Sequence, residues 1–304
     1  MFASPHHLDL KLYCTPQWSV NSKTLDIWPA LPIVIFAWNM QSKEDMTNII
    51  AALRHHNWVC KIYCDLIQNS LLEEFVAIDK PFPALTSLWL FSYEQNVPVL
   101  LDSFLGGSAP HLRFLELFGI PYPSIGKLLS STTNLVWLSL WCIPHSRYVA
   151  PKMIVPCLSM LPSLRLLELG FWHPCSWAHQ ASWHPPLLTC VVFSNLTSLW
   201  FNGNIKYLED ILSQIETPML TESDFCFFNQ LVFDTPLLGH FIDSSATWKH
   251  SWQPWHMWDF PVGMTVSRWD FGDKERWLMT TRKPDVCQSL AIRWIGSFLL
   301  FRRC

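Results

Sequence analysis

Charge is scarce in this 304-residue chain: Asp, Glu, Lys and Arg make up only 15% of it, and the net charge is −3. That balance supplies neither a polyanion-binding surface nor a disordered acidic tract, so nucleic acid is not expected as a partner. Long apolar runs are missing as well. The longest, residues 31–38 and 295–301, fall far short of the roughly 20 residues needed to span a bilayer, and no membrane is expected. The opening Met1-Phe2-Ala3-Ser4-Pro5-His6-His7 has neither a basic start nor an apolar stretch of the secretory kind. The setting therefore reads as intracellular, cytoplasm or nucleus. The ten cysteines follow no framework spacing, which disfavours a disulfide scaffold and leaves them as small apolar residues of an interior. Cys60 and Cys64, four apart on an expected strand, are both assigned to its inner face.

Signatures of catalysis are equally thin. The chain has no nucleophile elbow, no phosphate-cradling Walker loop and no dinucleotide fingerprint. Gly106-Gly107-Ser108 lacks the lysine and the preceding strand that such a loop needs. One stretch crowds metal-ligand types together: His173-Pro174-Cys175, then His179 and His184. A metal-dependent or Cys-based enzyme on that loop is the alternative reading, but its spacing lacks a close ligand pair with defined partners. The interleaved Trp172, Trp177 and Trp183 fit a packed loop better. No enzyme, cofactor or metal is expected.

What the chain does have is a recurring Leu-x-x-Leu-x-Leu. It stands at Leu85-Thr86-Ser87-Leu88-Trp89-Leu90, Leu112-Arg113-Phe114-Leu115-Glu116-Leu117 and Leu135-Val136-Trp137-Leu138-Ser139-Leu140. Followed outward, the inner pairs are Leu10/Leu12, Ile33/Ile35, Ile62/Cys64, Leu88/Leu90, Leu115/Leu117, Leu138/Leu140, Leu167/Leu169, Leu199/Phe201 and Ser223/Phe225. Successive pairs are 23 to 32 residues apart, around the upper end of the leucine-rich-repeat range, where a helix returns the chain. Helices are expected at 43–53, 70–78, 124–129, 153–158 and 206–215. The first shows the rule: Met46, Ile49, Ile50 and Leu53 fall at i, i+3, i+4 and i+7. Each unit has a face that only its neighbours can cover.

The expected fold is therefore an α/β leucine-rich-repeat solenoid, a horseshoe with a parallel sheet on its concave face and helices or loops on the convex one. Residues 1–245 form the solenoid. Residues 246–304, with seven of the eighteen tryptophans and nine Lys or Arg against five Asp or Glu, form a divergent, non-repeat tail. Residues 171–186 read as a loop excursion.

Strand side chains alternate in direction, so those between and beside the inner pairs face the concave side. The candidate binding residues there are Trp89, Phe114, Glu116, Phe118, Trp137, Trp141, Glu168 and Trp200. Large aromatics with carboxylates between them are the residue types of interface hot spots. Glu116 and Glu168 hold equivalent positions two repeats apart, which the repeat itself explains.

The run from Asp102 to Leu117, with Gly119-Ile120-Pro121, Ile143-Pro144-His145-Ser146, Leu164-Arg165-Leu166-Leu167-Glu168-Leu169-Gly170-Phe171, Leu25-Asp26-Ile27-Trp28-Pro29, Tyr207-Leu208-Glu209-Asp210 and Phe228-Asn229-Gln230, resembles the large fungal family of F-box-like leucine-rich-repeat proteins. The resemblance covers roughly residues 4 to 245. It implies repeats that recognise a protein, and a substrate-recognition role in a ubiquitin-ligase adaptor. In that family an F-box-like helical segment ahead of the repeats docks a Skp-type adaptor. No such segment is recognised here, so that partner is not expected, and a repeat module without a partner is a further alternative.

Overall fold

The computed structural model describes residues 12–14, 31–37, 43–65, 67–93, 97–122, 126–143, 149–171 and 190–228. It also describes 237–238, 241 and four strands between 264 and 303. Strands and helices alternate. The order is β1 (Leu12–Cys14), β2 (Ile33–Ala37), α1 (Lys43–Arg54), β3 (Val59–Cys64), α2 (Asn69–Ala77), β4 (Ser87–Phe91), a 3-10 turn at Phe104–Gly107, β5 (Phe114–Phe118), α3 (Gly126–Ser131), β6 (Trp137–Ile143), α4 (Pro151–Ser159) and β7 (Leu166–Phe171). There follow β8 (Val191–Val192), β9 (Ser198–Gly203), α5 (Ile205–Leu212), β10 (Ile215–Glu216), β11 (Glu222–Phe228), β12 (Met264–Asp270), β13 (Glu275–Thr281), β14 (Ser289–Ile295) and β15 (Phe298–Arg303). All five expected helices form, their ends within three residues of the periodic pattern.

The main sheet has 11 strands in the order β1-β2-β3-β4-β5-β6-β7-β9-β11-β14-β15. From β1 to β11 every pairing is parallel. This is a mixed α/β fold in which the chain leaves one strand, passes through a helix or loop, and returns beside it. Parallel strands require such crossovers, because a tight turn cannot join them. β8 and β10 form a small parallel pair of their own.

Between the sheet and its helices runs one continuous apolar layer. Leu88, Leu115, Leu138, Leu167 and Leu199 occupy one row of it and Leu90, Leu117, Leu140, Leu169 and Phe201 the next, all buried. Helices close it with Ile49 and Leu53 of α1, Leu71 and Phe75 of α2, Leu129 of α3, Ile154 and Leu158 of α4, and Leu208 and Ile211 of α5. A buried Leu or Phe contributes about 1.5–3 kcal/mol through removal from water, so the layer is the dominant stabilising feature. Strand ends are closed tightly. Gly119 follows β5 at φ +69°, and the Ser92 carbonyl sits where a Cβ would stand; a side chain there meets both backbone strain and a clash.

Two details of register depart from the sequence reading. Leu12 and Cys14 lie opposite Ile33 and Ile35, and Ile35 and Ala37 lie opposite Ile62 and Cys64. The pairs expected for β1 and β2 are thus displaced by two residues, a whole strand period; Leu10 lies outside the described residues. The register also slips between Ile33 and Val34, where β3 carries an extra residue, Cys60. That bulge breaks the alternation. Cys60 leaves the interior row that Cys64 occupies and donates its thiol hydrogen to the Ile33 carbonyl at 3.3 Å, so the two cysteines do not share the inner face.

Beyond residue 245 the pairing changes sense. β14 adds to the edge of β11 antiparallel, β15 follows it antiparallel, and β12 and β13 form a separate antiparallel pair. Among the described residues no helix is long and apolar enough to cross a membrane.

Candidate functional site

All eight candidate residues fall on the sheet face opposite the helices, in three parallel rows. The middle row is Tyr63, Trp89, Glu116, Ser139, Glu168, Trp200 and Asp224. Flanking it on the side of the strand starts are Phe114 and Trp137, and on the other side Phe91, Phe118 and Trp141. Neighbouring strands of a sheet are about 4.8 Å apart, so each row is a line of side chains at that pitch.

The aromatics pack along these rows. Phe36 stacks on Tyr63 at 4.7 Å between ring centroids, and Tyr63 meets Trp89 edge-on at 4.5 Å. Phe91 stacks on Phe118 at 5.7 Å, and Phe114 lies tilted against Trp137 at 6.5 Å. Trp89, Phe114, Phe118, Trp137 and Trp141 are half-buried. They keep part of each ring at the surface. Trp200, Glu116 and Glu168 are not exposed as a freely open face requires: they are 9%, 1% and 2% accessible. The carboxylates form the floor of the aromatic layer and not its surface.

Glu168 has the best-defined surroundings. The Ser139 hydroxyl and the Trp141 indole N–H both donate to Oε2, the latter at 2.8 Å. These donors favour the ionised form, yet burial outweighs them, and with the nearby Glu222 carboxylate it pushes the Glu168 carboxyl up to about 7. Proton uptake by this group thus falls near neutrality.

Trp141 reaches Glu168 through a local irregularity. β6 and β7 lose register between Leu140 and Ile143, and Cys142 adopts φ +53°. A bulge of this kind re-aims the neighbouring side chain. The indole then lies across Gly170, and a Cβ on that residue would strike its six-membered ring. Gly170 is small because Trp141 occupies its side-chain space.

Alternation along the strands puts these eight side chains on one face, but Trp200, Glu116 and Glu168 lie deeper in it than alternation alone conveys. Ser139 as donor, the bulge at Cys142 and the fit of Trp141 on Gly170 depend on how neighbouring strands sit together, which a single strand's pattern does not carry. Phe36, Tyr63 and Phe91 extend the aromatic rows and follow from the same alternation. A second set was passed over entirely: residues two and four positions ahead of the first inner leucine, Arg113, Arg165 and His111 among them, line a groove along the sheet edge.

The His173, Cys175, His179 and His184 cluster lies outside the described residues. Among those described, no three His, Cys, Asp or Glu side chains are placed to hold a metal ion. Of the described cysteines, Cys64 is buried, and its thiol is pushed far up by burial and by Asp65; Cys142 is raised to about 12 by burial. Both are poor nucleophiles. The chain matches no protein-family model, no curated protein and no solved structure.

Proposed function

We propose that this chain is a protein-binding module: a leucine-rich-repeat solenoid whose helix-free sheet face is concave and takes the partner, with no catalysis of its own. The observation that carries the reading is the layer of half-exposed aromatics, in register on β4, β5 and β6 around the floor formed by Glu116, Ser139 and Glu168. Helices occupy more width than strands, so a parallel stack with helices on one side curves toward its strands. Rigid aromatics offer large contact area with few rotatable bonds to immobilise.

On this reading the chain is similar to the substrate-recognition repeats of fungal F-box ubiquitin-ligase adaptors. The test is affinity capture with wild type and Trp137→Ala side by side. Partners specific to this face are recovered by the wild type, with affinity falling by roughly thirtyfold in the variant, as expected for about 2 kcal/mol at a hot spot. If Trp137→Ala retains every partner at full affinity, this is not the binding face. Recovery of a Skp-type adaptor by the purified chain shows that an F-box surrogate is present.

A further inference from the structure

Along the edge where the parallel strands begin lies an open groove of about 510 Å³, and its residues come from fixed places in the repeat. Counting back from the first inner leucine of β5, β6, β7 and β9, position four gives His111, Asn134, Ser163 and Asn195. Position two gives Arg113, Val136 and Arg165, with Thr86, just ahead of β4, completing the wall.

Backbone hydrogen bonds tie the second set into one ladder. The Arg113 amide donates to the Thr86 carbonyl, Val136 to Arg113, and Arg165 to Val136, each at 2.9 Å. Arg113 and Arg165 therefore stand two strand steps apart, about 9.6 Å, on either side of the smaller, apolar Val136. The walls are braced. Asn134 donates its side-chain amide to the Pro110 carbonyl at 3.1 Å, and Asn195 to Pro162 at 2.8 Å. The Thr86 hydroxyl donates to the Cys60 carbonyl at 2.9 Å. The Arg113 guanidinium lies over the Phe114 ring, 5.8 Å from its centroid, which limits its swing.

No carboxylate lines this groove; its charged side chains are two arginines, joined by one imidazole. That is a local excess of positive charge on a chain of net charge −3. Each guanidinium presents a planar fork that grips two oxygens at once. A lone carboxylate has two oxygens and satisfies one fork. A phosphate monoester has three terminal oxygens and close to two negative charges, enough for the forks of two arginines on either side of Val136. The volume exceeds that of a phosphate ion and falls among pockets that hold a larger molecule. We propose that this groove binds a phosphate monoester, gripped between Arg113 and Arg165 with His111 beside it, the attached group lying along Asn134 and Asn195.

The phosphoryl group has two possible sources, a small metabolite and a phosphorylated side chain, and one titration series separates them. Isothermal titration would use phenyl phosphate, inorganic phosphate, a phosphoserine peptide, the same peptide unphosphorylated, and benzoate as the carboxylate control. Saturable binding of phenyl phosphate that weakens with added salt is expected. The Arg113→Gln/Arg165→Gln variant should lose at least tenfold in affinity with an unchanged thermal midpoint, since both side chains are exposed. Arg113→Lys, which keeps the charge and loses the fork, should fall between the two. Tighter binding of the phosphopeptide than of phenyl phosphate supports a protein source, and the reverse order a metabolite. No saturable phosphate binding, equal affinity in the double variant, or benzoate or the unphosphorylated peptide binding as well as its phosphorylated counterpart overturns the proposal.

Discussion

The two faces of the central strands are made by alternate residues of the same segments, yet they are held together by different physics. Toward the helices the row Leu88, Leu115, Leu138, Leu167 and Leu199 is dry and aliphatic, each residue at most 1% accessible. Across the sheet, Trp89, Glu116, Ser139, Glu168 and Trp200 mix rings, hydroxyl and carboxylates. The leucine side needs volume and little else, so it tolerates few losses of size and many changes of shape. The other side needs particular donors at particular distances. Stability is concentrated on the first and specific chemistry on the second.

Substitutions can separate these roles. The largest effect is expected from Leu138→Ala, which leaves a cavity in the middle of the leucine layer and should cost about 2–5 kcal/mol in denaturant unfolding. A loss under about 1 kcal/mol there would mean that the two faces are exchanged.

Next comes the pH dependence of Glu168. Its carboxyl is raised from 4.5 to about 7 in the folded chain, so the folded state holds the proton more tightly than the unfolded one. Its contribution is fully present below pH 4.5 and is lost as pH rises through 7, on the order of 3 kcal/mol for a shift of this size. Glu168→Gln should flatten that part of the stability profile. An unaltered pH profile in the variant would show that another group, Glu222 or Glu116, carries the proton.

Gly170→Ala should come third, costing about 1–3 kcal/mol as the new methyl displaces the Trp141 ring. It should also break the Trp141 to Glu168 hydrogen bond, visible as a change in tryptophan emission; unchanged emission and stability would contradict the close packing described. Smallest is Trp137→Ala. A half-buried ring that loses its contact with Phe114 should cost about 1 kcal/mol, well below Leu138→Ala, and the ratio between these adjacent positions measures how distinct the faces are.

Much of the leucine side was legible in the sequence. Leu85-x-x-Leu88-x-Leu90 and its repeats combine a period of two with a fixed return distance, and both survive in the register from β4 to β11. Reading failed where the pattern has no punctuation. The short β1 and β2 admit registers differing by two residues that bury the same face, and the extra residue at Cys60 leaves no mark in an alternating string. On the opposite face the residue types were visible and their depth was not. Glu116 and Glu168 read as exposed because carboxylates usually are, and only the placement of Ser139 and Trp141 explains how Glu168 is accommodated. The groove at the strand starts was legible in principle. Arg113 and Arg165 share the motif Leu-Arg-x-Leu-Glu-Leu, in which the arginine stands just outside the inner leucine pair.

The backbone at Cys142 gives the protein a clock. Its thiol sits in the bulge that aims Trp141, half-buried, with burial pushing it up to about 12, so the reactive thiolate is scarce there at pH 8. Any opening of the seam between β6 and β7 would return the thiol toward its ordinary acidity and speed its capture by a thiol reagent. Cys190, exposed near the start of β8, reports reagent access in the same chain. The ratio of their labelling rates would time how often the aromatic layer comes apart, without any probe being added to it.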